Sequence, residues 1–264
     1  MQKGIIVVKI GGSTLGNHDT TLEDLVELQK QGKSLVVVHG GAKVTTEWLA
    51  RLGIPTSFVN GLRVTDAESL KVVTAALGGL VNKELVVAIQ ALGGKAVGLS
   101  GCDGSLLWAS VKSPELGYVG EIVAVDPTPL KLLLKAGYMP VVAPISFGSV
   151  EGKVMLLNVN GDTAAGEIAA ALAAEKLVFL TDVDGIYDGS GQVVPRLNTA
   201  EAGDMLASGV ASGGMIPKIE ASLKALTTTK VVRIIDGRAF HALLQDVAGQ
   251  ARQTKSRGTT IVPE

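Results

Sequence analysis

The sequence predicts an α/β protein: a single three-layer α/β/α sandwich around a central, mostly parallel sheet, spanning residues 1–264. Three observations lead there. Ile5, Ile6, Val7 and Val8 form a short apolar, β-branched run that reads as a buried strand and stops at Gly11-Gly12. Leu35 to Val38 repeats the pattern and runs into His39-Gly40-Gly41, with one helix between the two, marked by Leu22, Leu25, Val26 and Leu28. Two strands joined through a helix make a parallel βαβ unit. No Pro/Ser linker or low-complexity tract divides the chain, and 47% of its 264 residues are apolar, ample for a large core.

The remaining elements follow in order. A helix from about Val44 to Leu52 leads into Asn60-Gly-Leu-Arg63-Val-Thr65, a connection. Asp66 to Leu92 has a helical pattern, with Asp66 as N-cap and Gly78-Gly79 as a possible break. Lys95 to Ser100 is a strand, and Leu106 to Val125, with turn residues Ser113 to Gly117, reads as one or two hairpins. Pro129 to Lys135 is helical, and Met139 to Ala143 is a strand ending at Pro144. Lys153 to Leu157 is a strand that enters Asn158-Val-Asn-Gly-Asp162, followed by an alanine-rich helix to about Ala174. Strand Lys176 to Leu180 opens into Thr181-Asp-Val-Asp-Gly-Ile-Tyr187. Helices over 199–208 and 217–227 flank the turn Ser212-Gly-Gly-Met215, and Lys230 to Ile235 is the last strand.

Composition excludes several functions. A net charge of -1 with no basic run argues against nucleic acid or an anionic membrane as partner. With only 3% aromatic residues there is no stacking platform for single strands. Cys102 is the sole cysteine, so an internal disulfide and a multi-cysteine metal site are both excluded, and His18 and His241 have no companion ligands. The apolar runs break before membrane-spanning length and the start reads as a strand, so a cytoplasmic compartment is expected. Gly32-Lys33-Ser34 resembles the end of a P-loop, but Glu27 occupies the place of its first glycine. No G-x-G-x-x-G follows the first strand, which excludes a dinucleotide oxidoreductase.

The polar residues at the strand ends carry the chemistry. Lys9 precedes the Gly11-Gly12 turn, where bare backbone N–H groups and an ammonium together suit a phosphoryl group. In open parallel sheets ligands sit beyond the carboxyl ends of the strands, so both glycine pairs should open into one crevice. Asn158, Asn160 and Asp162 alternate between an apolar strand and an apolar helix, with side chains converging on one side. Asp162, heading that helix, also reads as an N-cap. Lys218 stands near a helix start, against the dipole, so it calls for an anionic partner. His39, beside a strand end, reads as a packing or hydrogen-bonded residue outside the chemistry.

Six blocks stand in a telling order: Lys9-Ile-Gly-Gly12, His39-Gly-Gly41, Asn60-Gly-Leu-Arg63-Val-Thr65, Asn158-Val-Asn-Gly-Asp162, Thr181-Asp-Val-Asp-Gly-Ile186 and Gly213-Gly-Met-Ile-Pro-Lys218. Through them the chain resembles, from end to end, the amino-acid kinase family, and within it the members that act on acetylglutamate. It departs at Ala42, where a third glycine is frequent, and at Gly161, where alanine is usual. The resemblance implies the amino-acid kinase fold and transfer of the γ-phosphoryl of MgATP to the side-chain carboxylate of N-acetyl-L-glutamate, a step of arginine synthesis. That carboxylate, with a pKa near ~4.3, is ionised at neutral pH and needs no general base. The obstacle is repulsion between anions, so catalysis should be positioning and charge neutralisation.

By the same resemblance, Lys9 and Lys218 neutralise the transferring group, Gly11 and Gly12 hold its oxygens, and Asp162 orients both lysines. Gly40, Gly41, Arg63, Asn158 and Asn160 would hold acetylglutamate. Thr181, Asp182, Val183, Asp184, Gly185, Ile186 and Tyr187, with Val210, Ala211, Ser212, Gly214 and Met215, would line the nucleotide pocket beside Lys9 and Lys218. Mg²⁺ is expected on the ATP phosphates, with no protein ligand named. The N-terminal half would bind acetylglutamate and dimerise, and the C-terminal half would bind ATP. A homodimer joined through 66–92 is expected. Arginine-inhibited relatives carry an extra N-terminal helix, and here the first strand begins almost at Met1, so insensitivity to arginine is expected too. A sister kinase acting on carrier-protein-bound aminoadipate shares blocks like Gly79-Leu-Val-Asn-Lys83 and Gly98-Leu-Ser-Gly101; a silent sensing module is the other rival.

Overall fold

Strands that are apolar on both faces must be covered on both faces, and the helices of this chain do that. The structure, a computed structural model, describes residues 4–11, 20–248 and 258–264. In chain order the first elements are β1 (Ile5–Ile10), α1 (Thr21–Lys30), β2 (Ser34–His39), α2 (Ala42–Arg51), β3 (Phe58–Val59) and β4 (Leu62–Arg63). A long helix follows as α3 (Ala67–Thr74), a π-helical segment (Ala75–Val81) and α4 (Asn82–Ala91). Then come β5 (Ala96–Ser100), β6 (Leu107–Val111), β7 (Gly120–Val125), α5 (Thr128–Lys135), β8 (Met139–Ala143), β9 (Ile145–Val150) and β10 (Lys153–Asn158). The rest is α6 (Gly161–Ala171), β11 (Lys176–Thr181), β12 (Arg196–Asn198), α7 (Thr199–Ala207), α8 (Met215–Ala225), β13 (Val232–Asp236), α9 (Ala242–Val247) and β14 (Thr259–Val262).

Eight strands form the central sheet in the order β12-β14-β13-β11-β1-β2-β8-β5. Every pairing is parallel except β13 with β14. Alternate residues of one strand serve opposite layers. Val7, Val36 and Val38 face a core shared with α6 and α8, where Ala164, Ala165, Ile168 and Ile219 pack. Ile6, Val8, Leu35 and Val37 face a second core with Leu25 of α1, Leu85 and Ile89 of α4 and Leu243 of α9. This is the expected α/β/α sandwich. A second sheet, β10-β9-β6-β7, packs Leu107, Ala109 and Leu157 into the first of these cores.

Several boundaries differ from the expectation, each for a local reason. Gly78-Gly79 does not break the long helix; it sits inside the π segment, and the helical span runs on from Ala67 to Ala91. That span, 25 residues with a hydropathy of 1.7 over its most apolar window, is long and apolar enough to cross a membrane, contrary to the expectation that every apolar run is too short. Here Leu70, Val73, Leu77, Val81, Leu85 and Ile89 are buried against the sheets. Asn60-Gly61 makes a two-residue hairpin turn with φ 50° and 79°, so the predicted connection is the ribbon β3–β4. Helix α8 begins at Met215, two residues earlier than expected. Strands β9, β12 and β14 and helix α9 were not foreseen. Gly12 and His18 lie outside the described residues.

Candidate active site

Lys9 follows Val7 by two residues on β1, so its side chain leaves the strand on the face that carries α6. Helix α6 is capped not by Asp162, as the sequence suggested, but by Asn160. The Asn160 carboxamide oxygen accepts from the N–H groups of Asp162 (2.8 Å) and Thr163 (3.1 Å). Asp162 is thereby free in the first turn, where the helix dipole favours an anion. Its two oxygens take one lysine each: Lys9 Nζ lies 2.7 Å from Oδ1 and Lys218 Nζ 3.1 Å from Oδ2. The Lys9 contact falls outside hydrogen-bond angles, leaving Oδ1 without an aligned donor, so it is held by charge rather than direction. Lys218, on α8, also donates to the Gly214 carbonyl at 3.2 Å. Burial by itself pushes the Asp162 carboxyl up, but the two ammoniums outweigh it and hold it below its ordinary value.

The triad stands where two clefts meet. One, about 170 Å³, is lined by Lys9, Gly40, Gly41, Arg63, Asn158 and Asn160, so all five predicted substrate residues and one lysine share a wall. Arg63 is braced by Ala42 O (3.2 Å), Thr46 Oγ1 (2.7 Å) and Thr56 Oγ1 (3.4 Å), with its guanidinium 4.7 Å above the Phe58 ring. Asn158 donates to Thr65 Oγ1 at 3.0 Å, and that hydroxyl donates to the Arg63 carbonyl at 2.9 Å. Phe58, Thr65 and Leu77 complete this cleft or its support and had no assigned role from sequence; only Thr65 lay within a block the sequence singled out, Asn60–Thr65.

The second cleft, about 340 Å³, is lined by Lys218 and by Thr181, Asp182, Val183, Ile186, Tyr187, Val210, Ala211, Ser212, Gly214 and Met215. Three predicted neighbours are not on its wall, and one of them, Lys9, lines the first cleft instead. Asp184 is exposed, and Gly185 is turned into the protein, where a Cβ would come within 2.8 Å of Thr259 Oγ1. The unforeseen β14 holds this loop: Ile186 N–H donates to Thr259 Oγ1 at 2.8 Å, and that hydroxyl donates to Val194 O at 2.7 Å.

The glycine turns divide unequally. Gly11 N–H donates to Leu180 O (3.2 Å) and Gly40 N–H to Ile10 O (3.0 Å), so both extend the sheet ladder. Gly41 heads α2, whose first N–H groups have no side-chain cap. At Gly161, an added Cβ would lie 3.5 Å from Lys9 Cε, ordinary contact, so glycine in place of the usual alanine leaves the site's shape unaltered.

Comparison with known proteins places the chain in a family. The model of the amino acid kinase family matches residues 4–236. The acetylglutamate kinase of Dehalococcoides mccartyi strain CBDB1 is 45% identical over 246 residues, 92% of this chain and 90% of its own. A solved N-acetylglutamate synthase from Neisseria gonorrhoeae, complexed with coenzyme A and N-acetyl-glutamate, superposes with a TM-score of 0.82 at 28% identity, over 99% of this chain and 60% of that one. Carbamate kinase from Giardia lamblia shares the fold alone, with a TM-score of 0.72 at 13% identity over the full length of both chains. The chain belongs to the amino acid kinase family, with acetylglutamate kinases among its near relatives.

Proposed function

We propose that this enzyme transfers the γ-phosphoryl of MgATP to the side-chain carboxylate of N-acetyl-L-glutamate, in arginine synthesis. One observation carries the proposal: a single buried carboxylate, Asp162, serves two lysines, so the junction of the clefts holds an excess of one positive charge. A phosphoryl group passing between two anions needs such an excess. The smaller cleft suits the amino-acid substrate, with Arg63 gripping the α-carboxylate, Asn158 and Asn160 beside it, and Gly40 and Gly41 near the reacting end. The larger one is of the size of small-molecule sites, which start at about 300 Å³, and takes the nucleotide. Gly11 spends its N–H on the sheet ladder rather than on a phosphoryl oxygen, so the charge there is met by the two lysines. Among the described residues no three acidic, histidine or cysteine side chains gather as a metal site. Magnesium enters as part of MgATP, where it shields the phosphate charge.

The division of labour follows the chain: the N-terminal half binds acetylglutamate and pairs two copies, and the C-terminal half binds ATP, within one domain. A homodimer fits the long helix, where Leu80 and Val87 are 36% and 63% exposed opposite the buried stripe. A cytoplasmic compartment goes with this activity. The carrier-bound substrate of the sister kinase is disfavoured by charge: the cleft adjoining Asn160 is rimmed by Glu115, Glu121 and Glu220, and its Lys112 is paired with Glu121 at 3.3 Å. An acidic carrier protein would meet repulsion there. The test is ADP release with acetylglutamate, glutamate, aminoadipate, aspartate, carbamate and UMP in parallel. Acetylglutamate should turn over far faster than the rest; equal or greater turnover of another acceptor ends this proposal.

A further inference from the structure

Two blocks remain outside the mechanism above, Gly79-Leu-Val-Asn-Lys83 and Gly98-Leu-Ser-Gly101, and the structure joins them beneath the acetylglutamate cleft. Lys83 Nζ donates to Asn82 Oδ1 at 3.0 Å and to Gly98 O at 3.2 Å. An ammonium only donates, so the Asn82 atom it meets is the oxygen, and the amide nitrogen faces the other way. That nitrogen donates to Val141 O at 2.9 Å and stands 3.1 Å from His39 Nε2, with Leu99 O farther off at 3.4 Å. His39 Nε2 is therefore an acceptor without a proton. The proton sits on Nδ1, which donates to Gly40 O at 2.7 Å. His39 and Asn82 are fully buried, and burial pushes the His39 imidazole down to about 4, so the ring is neutral at pH 7.

The consequence reaches the site through one peptide unit. Gly40 C=O and Gly41 N–H belong to the same planar trans peptide, in which they point in opposite directions. With the carbonyl held by His39, the Gly41 N–H points the opposite way, and Gly40 and Gly41 both line the cleft. The π segment makes the arrangement possible. Residues five apart are about 140° around an ordinary helix, at 3.6 residues per turn, but share one face across the wider π turn. Leu77 can thus fill the cleft beside Gly41, within 2.5 Å of where a Cβ at 41 would stand, while Asn82 reaches under His39. Gly98 leaves the needed room, since a Cβ there would fall 2.1 Å from Asn82 Oδ1.

We propose that His39 is a positioning residue, set in its Nδ1–H tautomer by Asn82 and Lys83, which aims the Gly41 N–H at the reacting carboxylate of the acceptor. This rests on the acetylglutamate proposal above. The tautomer is tested without any substrate, in the wild-type enzyme labelled with ¹⁵N-histidine, with His39 assigned by its loss in His39→Asn. A neutral Nδ1–H ring at pH 7 is expected; an Nε2–H ring or an imidazolium overturns the relay. Kinetics then test its use. His39→Leu should lower kcat/KM for acetylglutamate by about tenfold or more, the loss of one aimed donor, with KM for ATP nearly unchanged. His39→Asn, whose amide nitrogen takes the place of ring Nδ1, should recover most of that loss. Normal kcat/KM in the leucine variant, or an asparagine variant as impaired as the leucine one, overturns the positioning role. A wild-type enzyme silent with acetylglutamate sinks the acceptor instead, and the tautomer measurement tells the two failures apart.

Discussion

Asp162 shares its charge between two lysines, and each lysine faces its own cleft, so removing either should strip one preorganised charge from the transferring phosphoryl. Lys9→Ala and Lys218→Ala should each lower kcat on the order of 10²–10³ with the fold intact by circular dichroism; near-normal kcat would remove that lysine from the mechanism. Arg63 presents a planar fork, braced by three oxygens and a ring face, that lysine cannot reproduce. Arg63→Lys should raise KM for acetylglutamate by roughly tenfold, about 1.4 kcal/mol, and leave KM for ATP alone. The opposite split would move Arg63 to the nucleotide side. His39 gives a prediction of stability rather than rate. Its native value is pushed down to about 4, whereas an unfolded histidine takes its proton near ~6.5. Between those values the unfolded chain binds more protons, so stability is greatest above the window and falls as pH drops through it. Urea unfolding should show a loss of about 2 kcal/mol between pH 7 and pH 5 that is absent in His39→Asn. Equal pH slopes in the two proteins would contradict a neutral buried ring.

At the scale of elements, the lysine–aspartate spacing depends on how closely α6 approaches α8. They come together at Gly166, where a Cβ would lie 2.5 Å from Ala221 O, a backbone atom that cannot swing aside. Gly166→Ala should therefore push the helices apart, costing about 1–3 kcal/mol in urea unfolding. Because α6 carries Asp162 and α8 carries Lys218, kcat should fall as well. A variant with native stability and kcat would show that this contact does not set the spacing. The long helix illustrates the same dependence. Its glycine pair reads as a break from propensity alone, and propensity is a weak prior against tertiary packing. The chain instead keeps the helix and shifts its hydrogen-bond ladder, so that Leu77 and Asn82 both face inward.

For the whole molecule, the proposed pairing of two copies rests on the outer side of that helix. Exposed Leu80 and Val87, above a stripe already buried in the protein, leave an apolar surface that a second copy would cover. Sedimentation should give a dimer, and Val87→Glu, which sets a charge on that face, should shift it toward monomer. A wild-type monomer at micromolar concentration, or a variant that stays dimeric, would place the contact elsewhere.

Much of this was legible in the sequence because its signals are local. Continuous β-branched runs ending in glycine pairs specify parallel strands covered on both faces. The ordered blocks around Lys9, Asp162 and Lys218 carried the site. What the sequence left open depended on partners far along the chain. Asp162 read as a cap until Asn160 was seen to do the capping, and only that exchange frees its carboxylate for the lysines. Short strands such as β12 and β14 carry too few residues for a period, and they exist because neighbouring strands pair with them. Gly185 belongs to a binding motif by its place in the sequence, yet Thr259, more than seventy residues away, turns it inward. His39 looked like packing from its neighbours alone. Its tautomer, and the direction of the peptide above it, come from an ammonium and an amide delivered by a different helix, which no local pattern encodes.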